Sequence, residues 1–226
     1  ETVWRQADSY RVPLICFINK MDRVGADLDR TVTMIRTRLK AHPVLLQLPI
    51  EEETATGSNT FCGVIDLLTM RALLFTEESG AHPQLQPIPE VLVERAMFAR
   101  DELVQRIAEC DETLTLQYLN GAQIETQSLY RVLRRAVIAN ELTPVLLGSA
   151  LHNKGVQPLL DAIVRYLPSP LDVPAIQGVD PANGRAVQRQ PEIDSSLCAL
   201  VFKIVMDPHA GRLAYTRIYS GDIQAG

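Results

Sequence analysis

The sequence predicts an α/β protein: a parallel sheet split by an inserted α+β subdomain and followed by an antiparallel strand pair. Three observations lead to this fold class. Leu14 to Ile18 is a short, almost unbroken apolar run between helical patterns, which suits a strand buried on both faces of a parallel sheet. The same rhythm returns at "TPVLLGSA", Thr143 to Ala150, followed by a helical stripe. Between the two lies a stretch of roughly a hundred residues, too long for a loop in a compact domain, so it must fold as an insertion.

The elements follow in chain order. "ETVWRQADSYR" has helical spacing at Val3 and Ala7, and this character fades at Val12-Pro13, because the residue before proline avoids the helical region. After the first strand and Gly25, Leu28, Val32, Ile35 and Leu39 resume a helical period, with Asp27 placed to cap it. In the insertion, "TFCGVIDLLTMRALLFT" reads as two short strands around a turn. Leu92, Ala96, Ala99, Leu103, Ile107 and Cys110 form a helical stripe that starts near Pro89. A second helix runs from Asp111 to a stop at Gly121, and a third passes through Leu129, Val132, Leu133, Ala136 and Val137. Val156, Leu159, Leu160, Ile163, Val164 and Leu167 then give the spacing of a packed helix that halts at Pro168. Pro168, Pro170, Pro174, Pro181 and Pro191, with Gly178 and Gly184 among them, predict an extended linker. Beyond it, "LCALVFKIVMD" and "GRLAYTRIYSGDI" alternate around a "DPHAG" turn, the pattern of an antiparallel pair opening a β-barrel or sandwich.

Composition narrows the function classes. With 226 residues and 46% apolar content, the chain can build one large or two smaller cores. Its apolar runs fall far short of the roughly 20 residues that a membrane span needs, so a cytoplasmic protein without membrane contact is expected. Cys16, Cys62, Cys110 and Cys198 are scattered and form no C-x-x-C pair, which predicts free, buried thiols in a reducing compartment. A net charge of -5 argues against a surface that coats nucleic acid generally, while leaving room for a local basic patch. The chain starts at Glu1 without methionine and stops at Gly226 within an alternating segment, so a piece of a longer protein is expected.

Asn19, Lys20, Met21 and Asp22 spell N-K-x-D directly after the first strand, where open α/β sheets bind ligands. Guanine offers two donors, N1-H and the 2-amino group, which one carboxylate accepts as a charge-assisted bidentate pair; that role falls to Asp22. Adenine would leave the carboxylate facing a lone pair, and a site built for a specific partner rejects such an analogue. Asn19 would reach the N7 edge and brace neighbouring loops, and the alkyl stem of Lys20 would lie over the base. Ser149, Ala150 and Leu151, after the second buried strand, would bring backbone N-H groups to the guanine carbonyl. The plainer reading is a solvated turn in which Asp22 or Asp27 caps the next helix, and the strand before each loop favours the base pocket over it.

"ETVWRQADSYRVPLICFINKMDRVGADL", "GVIDLLTMRALLF", "TPVLLGSALHNKGVQPLLDAIVRYLPSPLDVPAI" and "FKIVMDPHAGRLAYTRIYSGDI" together resemble the bacterial-type elongation factor G family of translational GTPases, in the family's order and over essentially the whole chain. The resemblance implies the C-terminal half of a P-loop GTPase-type parallel-sheet domain with an inserted α+β subdomain, followed by the first strands of an antiparallel β-barrel. The implied division is a GTPase part at 1–40, an inserted subdomain at 41–138, a closing strand and helix at 139–168, a proline-rich linker at 169–193 and a truncated barrel at 194–226. It also implies that Asn19, Lys20 and Asp22 match the guanine-specificity motif and that Ser149, Ala150 and Leu151 match the second base-contacting loop. This chain has His152 where lysine is common in the family, and His209 and Ala210 depart from its more usual aromatic-bearing turn.

The resemblance further implies GTP or GDP as ligand, with Mg2+ in the intact parent. The implied partners are the ribosome, through its large-subunit stalk protein and ribosomal RNA, and the tRNA–mRNA complex. The sequence has no G-x-x-x-x-G-K-[ST] string and no Gly-Lys pair, so the phosphate cradle is missing; no catalytic residue and no metal ligand is assigned, and no hydrolysis is expected from this chain. The D-x-x-G string at Asp22 to Gly25 is a coincidence, because its aspartate is committed to guanine. Alternatives are a truncated, non-catalytic module that binds the ribosomal stalk, or another ribosomal GTPase of the release-recycling or tetracycline-resistance protection kind.

Other residues receive plain readings. Trp4 is a packing residue of the first helix, and His42, His82, His152 and His209 show no metal-ligand spacing. Arg131, Arg134 and Arg135 form a solvated basic face. Glu90, Glu94, Asp101, Glu102 and Glu109 give the long insertion helix an acidic side, which serves solubility or, as the resemblance suggests, stalk docking.

Overall fold

In the computed structural model, which describes residues 1–53, 59–76, 80, 82–180 and 182–224, the chain divides into two units, Glu1–Leu167 and Pro168–Gly226. The first unit is built on a parallel sheet of three strands. Strand β1 (Cys16–Ile18) and strand β2 (Pro43–Leu45) flank the central strand, β7 (Thr143–Leu147), both in parallel register. Four of the five β7 residues are buried, as a strand covered on both faces requires. β1 is an edge strand of this sheet, and only Ile18 of its three residues is fully buried.

Helices α1 (Thr2–Ser9) and α2 (Leu28–Leu39) lie on either side of β1 in sequence. Asp27 caps α2 as expected, its carboxylate accepting from the Arg30 N–H at 2.9 Å, and Leu28, Val32 and Ile35 are buried. Trp4 packs, half-buried, against the core.

The stretch between β2 and β7 forms an antiparallel sheet in the order β3-β4-β5-β6, with β3 at Gln47–Glu53, β4 at Asn59–Asp66, β5 at Arg71–Leu74 and β6 at Gln84–Gln86. The two strands expected around a turn are β4 and β5. Pro43–Leu45 lies within the stretch expected to belong to the insertion, yet pairs with β7 of the parallel sheet. Leu46 and Gln47 continue this junction: the Leu46 N–H donates to Val145 O, and the buried Gln47 side chain accepts from Leu147 N–H at 3.1 Å. A buried amide satisfied in this way joins the two sheets without leaving an orphan donor.

Three helices complete the insertion, at the places the periodicity marks: α3 (Glu90–Ala108), α4 (Glu112–Leu119) and α5 (Thr126–Ile138). Ala96, Leu103 and Ile107 of α3 and Leu129, Val132, Leu133, Ala136 and Val137 of α5 supply the core. Arg100 fastens α3 to the β4–β5 turn by donating to the Leu67 and Leu68 carbonyls, each at 2.6 Å.

The basic face expected on α5 is largely structural. Arg134 donates to the Arg165 carbonyl at 2.6 Å, and Arg135 to the Cys110 carbonyl and the Asp111 carboxylate at 2.8 Å each. Arg134 thus caps a last-turn carbonyl of the helix that follows β7, and Arg135 ties α5 to the connection between α3 and α4, contacts that sequence spacing does not reveal. Helix α6 (Val156–Tyr166) buries only Ala162 and Tyr166, while Leu160, Ile163 and Val164 stay exposed; its apolar stripe is wider than the surface that covers it.

The second unit contains two hairpins. Ile176–Val179 (β8) and Ala186–Arg189 (β9) pair antiparallel within the segment expected to be an extended linker. Turn chemistry overrides the proline count there: Asp180 accepts from the Ala182 N–H and the Asn183 amide, and Gly184 takes a positive φ of 69°. Pro181 lies outside the described residues. Cys198–Asp207 (β10) and Gly211–Ser220 (β11) pair around the "DPHAG" turn, where the Asp207 carboxylate accepts from the His209 and Ala210 N–H groups. The described residues form no closed barrel. All four cysteines are free thiols and half-buried rather than fully buried, with burial pushing Cys16 and Cys62 up to about 11.

Candidate guanine site

The ends of β1 and β7 lie side by side, because the parallel register matches Ile18 with Leu147. Both strands therefore release their loops at one edge of the sheet, where a ligand can meet both. The loops are locked together by backbone and side chain. Gly148 N–H donates to Ile18 O at 3.0 Å, and Met21 N–H returns a bond to Gly148 O at 3.1 Å. Asn19 Oδ1 accepts from the Lys20 N–H at 2.8 Å and from the Ala150 N–H, across the two loops, at 2.9 Å. The bracing role expected of Asn19 is thus present, while its Nδ2 donates to none of these partners.

Lys20 has a φ of 66°, in the left-handed region that costs a side-chain-bearing residue free energy. The Asn19 acceptor and the inward turn of the buried Met21 hold it there. Asn19 and Lys20 are exposed and Asp22 is half-buried, so the loop presents polar groups outward on an apolar anchor.

The second loop is a tight turn. Ser149 and Lys154 exchange backbone bonds at 2.9 and 3.0 Å, closing a 3-10 turn over Ala150–His152. Two glycines make this packing possible. A Cβ on Gly148 would sit 2.3 Å from Lys154 O and 2.5 Å from the Phe17 ring, and one on Gly155 would sit 2.3 Å from Leu147 O. Lys154 turns away from the loop mouth and donates its ammonium to Phe61 O at 3.1 Å, which ties the turn to the antiparallel sheet.

Asp22 is the chemical centre of the arrangement. A hydrogen bond from the Ser149 side chain, aided by nearby Arg23 and by His152 when it carries a proton, holds its carboxyl below the usual carboxylate range despite the opposing cost of burial. An ionised carboxylate at a half-open site is an acceptor for paired donors. Ser149 is buried, whereas Ala150 and Leu151 are exposed. The Ser149 and Ala150 N–H groups already serve Lys154 O and Asn19 Oδ1, so an incoming carbonyl would share Ala150 or take Leu151.

The Met21 side chain turns into the core, 4% exposed, so of this loop position only the backbone is at the surface side of the site. Sequence reasoning missed the contact between His152 Nε2 and Asp22 Oδ2 at 3.7 Å, for which the only signal was a titratable residue three positions after Ser149. It also missed the anchoring role of Lys154. Among the described residues no cluster of His, Cys, Asp or Glu is arranged to hold a metal ion, and no helix is long and apolar enough to cross a membrane.

Residues 1–169 match the family described as the elongation factor Tu GTP binding domain. The chain is 46% identical over 226 residues to elongation factor G of Thermotoga neapolitana and 47% identical to that of Thermotoga maritima, each alignment covering all of this chain and 32% of the relative. It thus spans about a third of the length of these relatives. A crystal structure of a Thermus thermophilus protein superposes with a TM-score of 0.76 at 28% identity, covering 97% of this chain and 29% of that one.

Proposed function

The chain belongs to the elongation factor Tu GTP-binding domain family, and on that premise we propose that its two locked loops recognise the guanine base of GTP and GDP. The observation that supports this most is the Asn19 bridge to Ala150, which sets the ionised Asp22 beside the Ser149–His152 turn. Asp22 accepts N1-H and the 2-amino group of guanine, Asn19 Nδ2 donates to N7, and Ala150 or Leu151 donates to the carbonyl. The exposed stem of Lys20 covers the base. An adenine amino group would face the same backbone donors, and its ring nitrogen would face a carboxylate, so both edges would be mismatched.

The longer protein in this reading is an elongation factor G: a cytoplasmic GTPase that hydrolyses GTP, with Mg2+, on the ribosome to move tRNA and mRNA. This chain lacks a phosphate-loop string and supplies base recognition without hydrolysis. Residues 1–40, the β2 segment Pro43–Leu45 and residues 139–168 form the GTPase part, the stretch from Gln47 to residue 138 the insertion, 169–193 a connection that holds the β8–β9 hairpin, and 194–226 the start of a barrel. Glu90, Glu94 and Glu102, exposed on α3, are the acidic groups best placed for the ribosomal stalk, since Asp101 already accepts from the Tyr118 hydroxyl and Glu109 pairs with Arg106.

The test is an amide NMR titration of the chain with GDP and with ADP. Affinity no tighter than roughly millimolar is expected, because phosphate contacts are missing. GDP should shift the Asp22, Ala150 and Leu151 amides while ADP leaves them in place. Equal shifts from both nucleotides would refute base recognition.

A further inference from the structure

His152 stands in the second loop with its Nε2 3.7 Å from Asp22 Oδ2, half-exposed, while the Asp22 side chain keeps about a quarter of its surface in solvent. That separation exceeds a hydrogen bond but falls within ion-pair range, so the contact depends on whether the imidazole carries a proton. The 3-10 turn fixes the geometry: the His152 N–H donates to Ser149 O, and Asn153 follows at a φ of 53°. We propose that His152 is a proton-controlled positioning residue of the guanine loops, whose imidazolium competes with guanine for the Asp22 carboxylate.

The proposal rests on the guanine reading above and adds a regulator to it. With His152 neutral, both Asp22 oxygens can accept the donors of the base. With His152 protonated, a cation beside Oδ2 draws on one acceptor and repels the electropositive N1-H and 2-amino edge. Guanine binding should weaken as pH falls through the range in which histidine gains its proton.

Among the described residues, the other charged groups around the contact are arginine and lysine. Arg23, next to Asp22, also bears on the carboxylate. Lys20 is exposed on its own loop, and Lys154 gives its ammonium to Phe61 O. From the segment before β6, the Gly80 backbone, which carries no charge, comes up against the His152 carbonyl.

The experiment follows the chain by NMR between about pH 5.5 and 8.5, a window that brackets histidine protonation, with and without GDP, in wild type and His152→Gln. Without nucleotide, the Asp22 and Ser149 amides should shift with pH in wild type and stay in place in His152→Gln; identical profiles would overturn the contact. With GDP, wild-type affinity should fall about two- to five-fold toward the acid end, a modest effect suited to an exposed ion pair, and stay level in His152→Gln. A pH-independent wild-type affinity would overturn the competition. If GDP shifts no loop amide at any pH while the nucleotide-free profiles still differ, the guanine reading fails and the competition with it, leaving the His152–Asp22 contact standing.

Discussion

At the scale of single residues, the site depends on what is small as much as on what is charged. Gly148 lies where the two loops cross, and any side chain there must displace the Lys154 carbonyl and the Phe17 ring. Gly148→Ala is therefore expected to destabilise the first unit by about 1–3 kcal/mol, the usual range for forced overpacking, and to loosen the Asn19–Ala150 bridge. Denaturant unfolding checks the first effect, and an unchanged midpoint would contradict the packing account. The place of Asn19, Lys20 and Asp22, in a loop at the carboxyl end of a parallel strand, was legible because a short apolar run precedes them. Met21 was not, because N-K-x-D leaves x unspecified and only the fold shows it turning into the core. The His152–Asp22 approach was also illegible, since it joins positions 130 residues apart through the pairing of β1 with β7.

At the scale of elements, caps and periodicity set most boundaries. Asp27 caps α2 through the Arg30 N–H, so Asp27→Ala should cost about 1 kcal/mol of stability, read as a lower denaturant midpoint with an unchanged slope. Its effect on the neighbouring loop should be small, because Met21 and Asn19 hold that loop from the other side. The helices α2 to α6 were legible because each carries an apolar stripe of helical period or a capping residue. The short strands β2 and β6, three residues each, were not, since three residues are too few for alternation to register. The β8–β9 hairpin was hidden by its prolines, which suggest extension, while the Asp180 and Asn183 side chains and Gly184 specify a turn. Membership of β2 in the parallel sheet is a tertiary choice: Pro43–Leu45 finds its partner a hundred residues later.

At the scale of the whole molecule, the two units differ in how much apolar surface they bury. The first holds nearly all the buried hydrophobic residues, among them Phe61, Ile65, Leu129, Leu133 and Leu147. The second leaves Leu200, Phe202, Ile204 and Met206 of β10 exposed, and an isolated two-stranded hairpin is marginal in water. Hydrogen exchange should accordingly protect the amides of β7 and α5 far more than those of β10 and β11; equal protection would contradict this division of the core. The central claim remains that one carboxylate, Asp22, selects the base. It is tested most directly by competing GDP against xanthosine diphosphate on the chain and on Asp22→Asn. Xanthine replaces the 2-amino donor with a carbonyl acceptor, which suits an amide and not a carboxylate. The wild-type chain should prefer GDP, and Asp22→Asn should prefer the xanthine nucleotide; an unchanged preference for GDP in Asp22→Asn would contradict the account.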